Sequence, residues 1–119
     1  MHTYISDAVI NFERQKAGFG VVIRDSCNKV KVAAVKSTLF LGDVKTAEAE
    51  AVEWGLVVAK SVAFQCIMVE SDCQEVVKLI NTKEGSRTEI MWVISEIQSL
   101  SKDFKNISCY HTPKSCNTC

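Results

Sequence analysis

"CIMVESDCQEVV", residues 66–77, sets the architecture. Four apolar residues, Cys66 to Val69, run straight into Glu70, Ser71 and Asp72. "CQEVVKLIN" then continues at helical spacing. A continuous apolar run of this length reads as a strand covered on both faces. Such a strand followed by a helix delivers Asp72 to the strand's carboxyl end, where α/β sheets gather their ligands.

The pattern extends in both directions from this unit. Upstream, "DVKTAEAEAVEWGLVVAKSVA" carries Ala47, Ala51, Val52, Gly55, Leu56 and Ala59 at helical spacing. Before it come three extended segments. They start at "YISDAVI", pass the glycines of "AGFG" into Val21–Ile23, and turn through "DSCNK" into "VKVAAV". Downstream, "KEGSR" is a break, "TEIMWVISEIQSLSKDF" is a longer helix with Thr88 as its cap, and "NISCYH" is a last strand. The order is three strands, helix, strand, two helices, strand. An opening meander followed by alternation predicts an α/β fold with a mixed five-stranded sheet and helices on its faces.

Length and composition bound the function. One domain spanning residues 1–119 fits the length, with no linker or repeat to divide it. Lys and Arg balance Asp and Glu at 14 each, so no overall basic field draws nucleic acid. No apolar run approaches the roughly 20 residues of a membrane helix, so no membrane partner is expected. The start, "MHTYISDAV", lacks the basic and apolar regions of a signal peptide. The chain therefore reads as intracellular, nuclear or cytoplasmic. Its six cysteines read as mostly reduced thiols with no disulfide-linked partner.

Three acids stand out. Asp72 follows the apolar strand; with Glu75 three residues on, it also fits a capping box. Glu48 begins the stripe continued by Val52, Gly55 and Ala59, whereas Glu50 and Glu53 point away from it. A first-turn acid favoured by the helix dipole is the competing reading. Asp7 interrupts the apolar alternation of "YISDAVI", where an acid is disfavoured unless it has a task or faces solvent. Together they suggest three carboxylates converging on one place, the hard oxygen donors that Mg²⁺ takes. Two such ions about 4 Å apart activate a water and stabilise the leaving oxygen of a phosphodiester.

"SDAVINFERQKAGFGVVIRD", "AEAEAVEWGLVVA", "VESDCQEVVKLIN", "WVISEI" and "YHTPKSCN" carry a resemblance. In this order they resemble the ribonuclease H fold, in the form common in plant reverse-transcriptase-like and transposon-derived proteins. The resemblance implies metal-dependent endonucleolytic hydrolysis of RNA in RNA–DNA hybrids. It implies Asp7, Glu48 and Asp72 as ligands of Mg²⁺ or Mn²⁺, and His111 as the histidine assisting water activation or product release. The spacing to "WGL" selects Glu48 over Glu50. Arg14, Lys16 and Lys45, on segments flanking the acids, are candidate nucleic-acid contacts. The family's fourth carboxylate and final helix would follow Asn117, and the chain ends at Cys119, so a C-terminally truncated domain is expected. That departure gives the alternative reading, a catalytically impaired module that binds nucleic acid or protein. A weaker rival is a zinc site at Cys109, His111, Cys116 and Cys119, where the single C-x-x-C lacks a second spaced pair.

Overall fold

The structure, a computed structural model, describes residues 2–11, 14–27, 29–39, 44–71, 73–82 and 89–111. Their order is β1 (His2–Asn11), β2 (Lys16–Arg24), β3 (Val30–Leu39), α1 (Val44–Ser61), β4 (Cys66–Ser71), α2 (Gln74–Thr82), α3 (Glu89–Ser101) and β5 (Asn106–His111). This is the order read from the sequence. Thr88, the expected cap of α3, lies outside the described residues.

The five strands form one sheet in the order β3-β2-β1-β4-β5. β1 runs antiparallel to β2 and parallel to β4, and β4 runs parallel to β5. The β2–β3 turn is held by Asp25. Its Oδ1 accepts the Cys27 and Lys29 amides at 2.9 and 3.0 Å, and these bonds keep its carboxyl below the usual range. Such a local bond is why Asp favours turns.

Burial follows strand alternation. On β2, Ala17, Phe19, Val21 and Ile23 are buried, and on β4 Ile67, Val69 and Ser71 are. The main core joins Val21, Ile23, Ile67 and Val69 to Val52 and Leu56 of α1, Val76 of α2, and Ile94 and Ile97 of α3. The described helices thus share one face of the sheet. β4 is fully buried on that face only; Cys66, Met68 and Glu70 are half-buried on the other. The covering on both faces suggested by its apolar run holds for the helix side alone.

α3 stops at Ser101, short of the expected "KDF". Three tight bonds close the turn: Lys102 to Ser99, Asp103 to Leu100 and Phe104 to Ser101. They fold Phe104 back into the core. Among the described cysteines, Cys27, Cys66 and Cys109 are free and Cys73 is disulfide-bonded. No described helix is long and apolar enough to cross a membrane.

Candidate active site

β1, β4 and β5 run in the same direction, so their carboxyl ends gather at one end of the sheet. The amino end of α1 lies there too. Ala47 and Ala51 of α1 pack on Ala17 and Phe19 of β2, with Trp54 alongside. Small residues on the helix let it settle closely on the strand, and that contact fixes its first two turns.

Glu48 is the fifth residue of α1 and only 5 % exposed. It lies beyond the first turn, where the helix dipole has most of its effect, so the dipole alone does not account for it. The buried stripe anticipated from the sequence, with Val52, Gly55 and Ala59, does contain it. A carboxylate buried there is costly unless a partner compensates it. Glu50 and Glu53 are half-buried at the margin. Desolvation, with Glu96 and Glu50 nearby and Lys36 opposing, raises the Glu53 carboxyl above its ordinary value.

Asp7 lies in β1, in register with Gly20 of β2. The β1–β4 ladder ends at the pair Ile5–Glu70. Asp7 and Asp72 each follow a member of that last pair by two residues. Asp72 itself lies outside the described residues, but its neighbours do not. Ser71 ends β4, 1 % exposed, and its Oγ accepts the Cys73 amide at 3.2 Å. The Cys73 carbonyl accepts the Val77 amide at 3.2 Å, the first helical bond of α2. The capping box expected of Asp72 with Glu75 falls on Asp72 and lies outside the described residues. Glu75 reaches α1, where its Oε2 accepts Lys45 Nζ at 2.6 Å.

His111 ends β5, exposed and in register with Ser71, so it stands beside the strand end that leads to Asp72. Arg14 is exposed in the β1–β2 turn and Lys16 is exposed at the start of β2. Gln15 between them takes a left-handed φ of 53°. Register, packing and strand direction thus place Asp7, Glu48, His111, Arg14, Lys16 and Lys45 at one end of the sheet. Glu75 and Ser71 belong to that end as well and were not foreseen. Ser71 was open to discovery, because it shares the parity of Ile67 and Val69. Glu75 was not, because its partner lies 30 residues away.

Glu48 brings to this end of the sheet a hard carboxylate donor of the kind that divalent cations take. Burial pushes the Cys109 thiol up to about 12. Cys116 and Cys119 lie outside the described residues.

A search of curated proteins finds no match. Among solved structures, RNase H1 from the halophilic archaeon Halobacterium salinarum is similar, with a TM-score of 0.87 and 17% identity over 96% of this chain and 86% of that one. The N-terminal RNase H domain of a Mycobacterium tuberculosis protein gives a TM-score of 0.84 and 18% identity, over 98% and 84% of the two chains. LC11-RNase H1 from compost, solved in complex with an RNA/DNA hybrid, gives 0.83 and 16%, over 96% and 86%. These likenesses establish the ribonuclease H fold. A model of the family described as Reverse transcriptase-like matches residues 5–119, and the chain belongs to that family.

Proposed function

We propose that the chain hydrolyses the RNA strand of RNA–DNA hybrids at the carboxyl end of β1 and β4. The observation that carries this reading is Glu48, a carboxylate buried on α1 at the sheet end where Asp7 lies and where β4 leads into Asp72. Asp7, Glu48 and Asp72 would hold Mg²⁺ or Mn²⁺. Such ions, when bound, supply the charge that activates a water and stabilises the leaving oxygen of the phosphodiester. His111, exposed at the end of β5, would exchange a proton with that water or with the departing product. Arg14, Lys16 and Lys45 meet backbone phosphates, and contacts to 2′-hydroxyls distinguish the RNA strand. The fold-neighbour solved with an RNA/DNA hybrid supports the choice of substrate.

The test is cleavage of an end-labelled hybrid in Mg²⁺ and in Mn²⁺. Asp72→Asn should slow it by about 10³-fold, several kcal/mol of transition-state stabilisation. A folded wild-type chain that leaves the RNA intact, or an Asp72→Asn chain that cleaves equally well, would overturn the reading.

A further inference from the structure

α1 and α3 lie side by side. Lys60 Nζ meets Asp103 Oδ2 at 2.8 Å, and Glu53 lies near enough to Glu96 for the two charges to oppose. Lys60 and Asp103 each stand seven positions, two helical turns, beyond Glu53 and Glu96. The two helices therefore run in the same direction and nearly level. Trp92 stands one turn before Glu96 on α3, and Val57 one turn after Glu53 on α1. Both are exposed, Trp92 at 74% and Val57 at 47%, on the side of the helices away from the sheet. Leu100, level with Val57, is half-buried. The outer seam thus presents an aromatic ring, then two carboxylates, then an aliphatic step, and the Lys60–Asp103 pair closes it.

We propose that this seam docks a basic amphipathic helix of a partner protein, with apolar residues on Trp92 and Val57 and a lysine or arginine between them on Glu53 and Glu96. An exposed tryptophan offers the large, rigid apolar area that anchors interfaces. The acids set the sign of the partner. Burial, then the charges of Glu96 and Glu50, raise the Glu53 carboxyl, and Lys36 of β3 is the weakest influence on it. Neither Glu53 nor Glu96 has an ion-pair partner among the described residues, whereas Lys60 and Asp103 neutralise each other two turns on. A cation held between the two acids relieves their repulsion, and it can also lie over the Trp92 ring. Trp92 and Leu100 are eight residues apart, about 12 Å along a helix. A second helix spans that distance with side chains two turns apart, the spacing of helix-in-groove anchors. Nucleic acid and anionic lipid are repelled by the same carboxylates. The inference stands independently of the hydrolytic reading.

The positions allow clean variants. Trp92→Ala removes the exposed ring and leaves the buried neighbours Val93 and Ile94 in place. Glu53→Gln combined with Glu96→Gln removes the paired charges and their repulsion, so a loss of binding is not a loss of folding. Glu75→Gln removes an exposed carboxylate on α2, off the seam, and serves as the control.

The experiment is fluorescence anisotropy of two labelled synthetic peptides titrated with the whole chain. The first is a helix-forming peptide with two leucines two turns apart and lysines midway between them. The second has the same composition, with the leucines adjacent and the lysines at its ends. The first should bind about five-fold more tightly than the second, because only it matches the anchor spacing. Trp92→Ala should weaken binding of the first by about ten-fold. The double glutamine variant should weaken it by about five-fold and leave a smaller salt dependence. Glu75→Gln should match wild type. The inference is overturned if the first peptide does not bind, if the two bind equally, or if Trp92→Ala binds as well as wild type. It is also overturned if Glu75→Gln loses as much as the double variant, since that marks a general field effect. Sedimentation of the chain alone tests the remaining occupant. Self-association that Trp92→Ala abolishes would place a second copy on the seam and overturn the partner helix.

Discussion

Glu53 illustrates how one side chain records its surroundings. Desolvation and the charges of Glu96 and Glu50 raise its carboxyl above the ordinary 4.5, against a smaller pull from Lys36. A raised carboxyl binds its proton more tightly in the folded chain than in the unfolded one. The associated stability is fully present below about pH 4.5 and is lost as pH rises through the folded value. Glu53→Gln should therefore raise Tm at pH 7, and the gain should vanish near pH 4 in thermal melts. A constant gain at both pH values would locate the effect in packing and not in charge. The burial of Glu48 was legible in the sequence from helical period alone, since it shares a stripe with Val52 and Gly55. The Lys45–Glu75 pair was not legible. Period and propensity describe residues a few positions apart, and nothing in either helix announces a partner on the other.

At the scale of elements, α1 is the part on which the site depends. Its amino end rests on Ala17 and Phe19 through Ala47 and Ala51. Phe19 is 5 % exposed, so Phe19→Ala should cost about 3 kcal/mol by removing a large buried ring. Urea unfolding should show a lower midpoint at unchanged slope, the sign of lost stability without lost compactness. A shallower slope would mean that the amino end of α1 had detached. Element order and the ends of β5 were readable from the sequence, because runs of apolar residues and the turn at "DSCNK" are local signals. The neighbour relations of β4 were not. That β4 sits between β1 and β5, and that His111 comes level with Ser71, depends on pairings between distant segments. The one-sided burial of β4 escaped for a related reason: Cys66 and Met68 are apolar on the half-exposed side.

The molecule as a whole is asymmetric. The described helices cover one face of the sheet, and β3 is an outer strand with Val35 87% and Leu39 76% exposed. Exposed apolar side chains on an edge strand invite pairing with other chains, a tendency that Lys31 and Lys36 oppose on the same strand. Val35→Lys should raise the solubility limit while leaving stability within about 0.5 kcal/mol, because a side chain this exposed has little packing to lose. Turbidity against concentration, paired with a melt, checks both. The placement of β1 has a consequence for synthesis. Its first partner, β2, follows within a short turn, but its second begins only with Ile67, the partner of His2. On the ribosome the β1–β2–β3 meander can close early, while the other flank of β1 waits for more than fifty further residues to be made. During that interval the strand that carries Asp7 has an open edge in the nascent chain. Translation speed between β1 and β4 then sets how long that edge stays available to chaperones or to neighbouring polypeptides.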